Sequence, residues 1–190
     1  MTIGLFGGTF DPIHNAHIAL AETIREQLQI DEVWFLVTPQ NPWKTGSTLS
    51  PDADRLAMVR LAIDGHESLV ASDYEFHLEK PTYSYLTLRH LREDFPEHDF
   101  TLVVGGDNWQ AFDHWAEYAE ILRHHRVAVY PRSHDEPVSS RWGGDVVRID
   151  AELMPVSSTD IRRRVAAGEP VSTMVCPAVE EYIATHGLYR

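Results

Sequence analysis

The sequence holds a single cysteine, Cys176, so no internal disulfide can form and no cysteine-rich zinc site can be built. That fits a reducing compartment, and the cytoplasm is the expected location. No apolar run approaches the roughly 18 residues needed to cross a bilayer, and no basic leader precedes the apolar residues Ile3 to Phe6. Neither secretion nor a membrane partner is expected. Basic residues are also scarce: 16 Lys and Arg stand against 29 Asp and Glu, a formal net charge of -13 at pH 7. So acidic a chain is a poor match for nucleic acid, whose backbone is held by neutralising phosphates with Lys and Arg. Small phosphorylated ligands stay open, because helix amino termini and a few cations can build a local positive pocket. Internal repeats and low-complexity tracts are missing as well.

With 190 residues, 43% of them hydrophobic, the chain can bury a real core but is too short to divide comfortably, so one domain over residues 1–190 is expected. Runs rich in Ile, Val, Leu and Phe occur at Ile3 to Phe6, Val33 to Val37, Leu102 to Val104 and Val127 to Tyr130. Helical spacing lies between and after them, at Ala16 to Gln29, Ala53 to Ile63, Tyr85 to Glu93, Ala116 to Leu122, Thr159 to Ala166 and Ala178 to Thr185. The alternation predicts βαβ units and an α/β fold with a parallel sheet. Two long loops are expected, Thr38 to Pro51 and Arg132 to Asp145. The first follows the carboxyl end of a strand, where open α/β sheets bind ligands. No heptad seam points to a coiled coil, and a homo-oligomer stays possible.

Three stretches carry chemistry. Gly7-Gly8-Thr9-Phe10-Asp11-Pro12-Ile13-His14-Asn15-Ala16-His17 runs from the first strand into the first helix. Adjacent glycines let backbone N–H groups approach an anion, and the helix amino terminus adds a favourable dipole. His14 and His17 share a face of the first turn and could donate to phosphate oxygens as charge builds there. Taken alone, the glycines could be only a turn, and the two histidines with Asp11 could be a metal set. Lys44, in Pro39-Gln40-Asn41-Pro42-Trp43-Lys44, is a flexible loop cation that could reach a phosphate or simply face solvent. In Val156-Ser157-Ser158-Thr159-Asp160-Ile161-Arg162, Ser158 could cap a helix while Ser157 and Thr159 offer hydroxyls and Arg162 a cation; a capped surface helix explains the same residues.

The combination resembles the nucleotidyltransferase superfamily, whose members carry a glycine-rich turn, a His-x-Gly-His element and a distal Ser-Ser-Thr-x-Ile-Arg element in this order. Ala16 stands where the family usually has glycine. The resemblance spans nearly the whole chain and implies a Rossmann-like fold with a mostly parallel central sheet flanked by helices. It implies ATP lying over Gly7, Gly8, Thr9 and Phe10, its triphosphate held by Ser157, Ser158 and Thr159. It implies catalytic roles for His14, His17, Lys44 and Arg162 in a direct in-line displacement at the α-phosphorus. Mg²⁺ would be carried by the nucleotide rather than by a protein metal site.

For the acceptor, Val104-Gly105-Gly106-Asp107-Asn108 resembles the Gly-x-Asp element that holds the adenosine ribose in the adenylyltransferases of NAD synthesis, which implicates Gly105 and Asp107. Trp115, in Phe112-Asp113-His114-Trp115-Ala116, resembles the tryptophan that stacks on the pyridine ring in the nicotinate-specific branch; Asp113 and Ala116 replace that branch's Pro and Tyr. Lys80-Pro81-Thr82-Tyr83-Ser84-Tyr85 resembles the branch's segment ahead of a helix, with Leu86 in place of its Asp. The resemblance thus implies nicotinate mononucleotide contacts at Thr82, Tyr83, Trp115 and Ala116, and formation of deamido-NAD with release of pyrophosphate. A phosphopantetheine adenylyltransferase, and a nucleotide-binding regulator without catalysis, are the alternatives on the same motifs.

Overall fold

The computed structural model describes residues 1–39, 49–131 and 142–190. Its centre is a six-stranded sheet of order β3-β2-β1-β4-β5-β6, parallel at every pairing. The strands are β1 (Thr2–Gly8), β2 (Glu32–Val37), β3 (Leu69–Ser72), β4 (Asp99–Gly105), β5 (Arg126–Tyr130) and β6 (Val146–Arg148). Both faces are covered, as an all-parallel sheet requires. Alternation within each strand divides the side chains: Phe6, Val33, Phe35, Val103 and Ala128 join one buried cluster, while Ile3, Leu5, Leu36, Leu102, Val104, Val127 and Val129 join the other.

The first cluster lies under α1 (Asn15–Leu28), α2 (Asp52–Ala62), α6 (Ser158–Ala166) and α7 (Pro177–His186). The second lies under α3 (Ser84–Asp94), α4 (Gly106–Gln110) and α5 (Tyr118–His124). The helices expected from periodicity are present, most of them shifted at their ends by one residue. The exception is α5, which starts at Tyr118 rather than Ala116 because Glu117 before it takes a left-handed conformation (φ 52°) that cannot belong to a helix. Pro177 opens α7, where its missing N–H costs no hydrogen bond. The short edge strands β3 and β6 were not foreseen. Among the described residues no helix is long and apolar enough to cross a membrane.

One buried cation shapes the carboxyl end of the sheet. Arg55, on α2, is 0% exposed. Its Nη1 donates to the carbonyls of Thr9 (2.7 Å) and Thr38 (3.0 Å), and its Nε donates to that of Ser50 (3.0 Å). Nη2 pairs with Asp52 one turn earlier. The guanidinium therefore ties the segments leaving β1 and β2 to the amino end of α2, and a planar five-donor fork suits that task where a lysine would not. Replacing Arg55 with Met should lower unfolding stability by on the order of 3 kcal/mol, since each buried acceptor left without a donor costs about 1 to 3 kcal/mol. Urea denaturation should show an earlier midpoint with unchanged slope; an unmoved midpoint would mean that these carbonyls do not depend on Arg55.

Candidate active site

A cavity of about 760 Å³ opens at the carboxyl ends of the strands, lined by Gly7 and Gly8 from β1, Leu36 from β2, Val104 and Gly105 from β4 and Tyr130 from β5. Connections leave β1 towards β2 and leave β4 towards β5, in opposite directions. The crevice between them is the topological switch point where open α/β sheets bind ligands. A volume of this size suits small ligands rather than a polymer.

Thr9, Phe10, His14, His17, Ser157, Ser158, Thr159 and Arg162 form one pole of the lining. His14 is the amino cap of α1, in extended conformation, and its backbone N–H donates to His17 Nδ1 (3.3 Å). With Nδ1 accepting, a neutral His17 carries its hydrogen on Nε2 and is a donor there. The two imidazoles stack at 3.7 Å between centroids, and the edge of Phe10 meets His17 at 5.1 Å. Phe10 has φ 46°, a costly conformation for a bulky residue, and its ring fills the space beside Gly8. A Cβ on Gly8 would meet that ring at 2.9 Å, whereas one on Gly7 would meet nothing within 4 Å. Gly8 is thus required by the packing of Phe10, and Gly7 is the glycine that stands beside open space. Ala16 is absent from the lining, so its methyl does not narrow the cavity.

α6 meets the first motif directly. Ser157, not Ser158, caps this helix, its Oγ accepting from the Asp160 N–H (3.1 Å). That frees the Ser158 hydroxyl to donate to the Pro12 carbonyl (2.9 Å). Arg162 Nη1 donates to the Asp11 carbonyl (2.6 Å), and Nη2 to Thr159 Oγ1 (3.3 Å). The Asp11 carboxyl, 2% exposed, accepts from the Tyr189 hydroxyl (2.6 Å) and from the Ser50 N–H (3.4 Å). Burial and the adjacent Asp11 carboxylate hold the Tyr189 phenol far above its ordinary range, so it remains a donor. Lys44 lies outside the described residues. Among the described residues, no group of three or more His, Cys, Asp or Glu side chains comes together as a metal ligand set.

Thr82, Tyr83, Trp115 and Ala116 line the opposite pole. Trp115 is partly buried, its ring 5.1 Å from that of Phe112. Asp107 is exposed on the first turn of α4 and is not among the residues that line the cavity, whereas Gly105 and Asn108 are. The helix starts at Gly106, directly after the strand, and Asp107 and Asn108 project in different directions from its first turn.

Glu75, which the sequence did not single out, also lines this pole at 6% exposure. It lies in the short 3₁₀ turn Tyr74–His77, and its carboxyl accepts from Thr87 Oγ1 (2.8 Å) and, more distantly, Thr82 Oγ1 (3.5 Å). Burial raises its pKa above the ordinary carboxyl value, an effect that the hydroxyls of Thr87, Thr38 and Thr82 only partly offset.

The pattern of a cytidylyltransferase-like domain matches residues 5–164. The chain belongs to the cytidylyltransferase-like family. It is 42% identical to a Bacteroides fragilis protein named "Probable nicotinate-nucleotide adenylyltransferase", over 95% of this chain and 90% of that one. A protein of the same name from Flavobacterium johnsoniae is 40% identical over the full length of both. In fold it is similar to the Plasmodium falciparum nicotinic acid mononucleotide adenylyltransferase complexed with NaAD, with a TM-score of 0.83 and 21% identity over 99% of this chain and 97% of that one.

The raised pKa of Glu75 has a definite sign in stability. The folded protein holds this proton more tightly than the unfolded chain, so the contribution of Glu75 is most favourable below the ordinary carboxyl value and declines as pH rises through the raised one. Glu75→Gln removes the titration. The melting temperature of the variant relative to wild type should therefore be higher at pH about 8 than at pH about 5, and a difference independent of pH would refute the assignment.

Proposed function

We propose that the chain transfers the adenylyl group of ATP to nicotinate mononucleotide, forming deamido-NAD and pyrophosphate. The observation that carries the reading is the joining of two poles in one cavity: a phosphate-binding pole built by His14, His17, Ser157 and Arg162, and an aromatic pole built around Trp115. The names of the full-length relatives support the same activity.

In this reading ATP lies over the β1 turn, with its triphosphate between the amino ends of α1 and α6, where helix dipoles and backbone N–H groups favour anions. The mononucleotide approaches from the other pole, its ring against Trp115. An oxygen of its phosphate attacks the α-phosphorus; the new P–O bond forms as the bond to the β-phosphate oxygen breaks, and that electron pair leaves with pyrophosphate. The protein has little covalent work to do, and positioning with charge stabilisation suffices. His17, with its hydrogen on Nε2, donates to an α-phosphate oxygen as charge develops, beside the stacked His14. Arg162 neutralises the departing pyrophosphate, and Lys44 is assigned to the same phosphates. Gly105 and Asn108 face the nucleoside, a position that Asp107 borders.

Mg²⁺ fits a role on the nucleotide, because this pole offers hydroxyls, imidazoles and a guanidinium rather than a carboxylate cluster. When bound, it would shield the triphosphate oxygens. The single-cysteine composition supports a cytoplasmic setting, and the acidic charge supports small-molecule substrates over nucleic acid.

Pyrophosphate release from ATP with nicotinate mononucleotide, nicotinamide mononucleotide or phosphopantetheine tests the assignment. The nicotinate form should be preferred over the nicotinamide form in kcat/KM by roughly tenfold to over a hundredfold, the worth of one hydrogen bond to a charged acceptor. Equal use of the two mononucleotides would remove the specificity and leave adenylyl transfer standing; turnover of phosphopantetheine alone would overturn the acceptor altogether.

His17→Ala should lower turnover on the order of 10² to 10³ while changing ATP binding little, because a donor aimed at developing charge acts mainly in the transition state. Wild-type turnover in the folded variant would remove His17 from the chemistry.

A further inference from the structure

The mechanism above uses Arg162 but not the group that seats it. Arg162 Nη1 rests on the carbonyl of Asp11, and the side chain of that same residue is buried at 2% exposure. A buried carboxylate needs donors, and Asp11 takes its close one from Tyr189 at 2.6 Å; the Ser50 N–H, at 3.4 Å, is a long contact. The path of Tyr189 to this spot is built into the chain beyond α7. Gly187 ends the helix in the left-handed region (φ 63°), and the Leu188 N–H donates back to the Ile183 carbonyl (3.1 Å). Tyr189 itself takes φ 63°, a strained value for a tyrosine, which persists where surrounding contacts hold it. α7 is in turn tied to α2 by the Tyr182 hydroxyl, which donates to Asp54 (2.8 Å).

We propose that Tyr189 is a positioning residue for the triphosphate end of the reaction, holding the Asp11 carboxylate so that the Asp11 carbonyl presents Arg162 to the nucleotide. This rests on the ATP-dependent reading of the cavity. Without the Tyr189 hydroxyl the buried carboxylate keeps, among the described residues, the long Ser50 contact alone. The guanidinium of Arg162, already seated on the same residue, is a described cation that can answer it. Arg162 then turns from the nucleotide towards the side chain of Asp11, and the loss falls on ATP rather than on the acceptor.

Tyr189→Phe keeps the ring and deletes the hydroxyl. Calorimetric binding of a non-hydrolysable ATP analogue should weaken about tenfold, the scale of one hydrogen bond to a charged group. KM for nicotinate mononucleotide should stay within about twofold of wild type, a split that general loosening of the fold would not produce. In an Arg162→Ala background the same Tyr189→Phe change should have no further effect on analogue binding, because the two residues act through one contact. Unchanged analogue binding by Tyr189→Phe, or a full additional loss on top of Arg162→Ala, would overturn the proposal. A parallel rise in both substrates' constants would do the same. A wild-type protein that fails to bind the analogue would overturn the ATP-dependent reading itself, which separates the two failures.

Discussion

Everything at the ligand-binding end of this sheet depends on one buried guanidinium. Beyond the ends of parallel strands the ladder of hydrogen bonds stops, and the segments that follow must turn away without leaving their carbonyls dry. Arg55 answers the carbonyls of Thr9 and Thr38, just past β1 and β2, and that of Ser50 ahead of α2, while its Nη2 pairs with Asp52. The Thr9 end of that arrangement carries the strained Phe10 backbone, whose ring in turn supports the His17 imidazole. A residue that never enters the cavity thus sets the height and tilt of the groups that do.

The strand order separates two tasks. Elements on one side of the sheet, α1 and α6, bring their amino ends together through the Pro12–Ser158 and Asp11–Arg162 contacts. The 3₁₀ turn, α3 and the segment before α5 make a site with aromatic rings and buried hydroxyls on the other. The ends of β1, β2, β4 and β5 form the floor beneath both. An acceptor of different chemistry could therefore be accommodated by altering Thr82, Tyr83 or Trp115 without disturbing the contacts of Arg162 with Asp11.

Central strands were legible in the sequence because burial on both faces demands continuous apolar runs, as in Ile3 to Phe6 and Val127 to Tyr130. The edge strands were not. β3 has Leu69 as its only fully buried residue, and β6 is three residues long with none, so neither carries enough of a pattern to stand out. The motifs around His14 and Ser157 could be read because each sits within a few residues of a helix start. Glu75, Arg55 and Tyr189 were hidden for a different reason. Charged and phenolic side chains are ordinarily surface residues, and their partners here, Thr87, Thr38 and Asp11, are distant in sequence. The Asp52 and Arg55 pair at helical spacing was the one local hint. The part played by Asn108 was not legible either, because only the immediate start of α4 at Gly106 brings it to the cavity.

The pole of the cavity between α1 and α6 is closed by residues far apart along the chain: Pro12 with Ser158 across 146 positions, Asp11 with Arg162 across 151, and Asp11 with Tyr189 across 178. Each such contact closes a long loop, an entropic cost that the contact itself must offset. They are also few and polar, whereas the strands beneath them share continuous apolar clusters. Ile161, Val179 and Ile183 keep α6 and α7 anchored in the first cluster, so these polar contacts can open while the helices stay on the sheet, which makes the order of this pole a local property of the molecule and not a measure of its global stability.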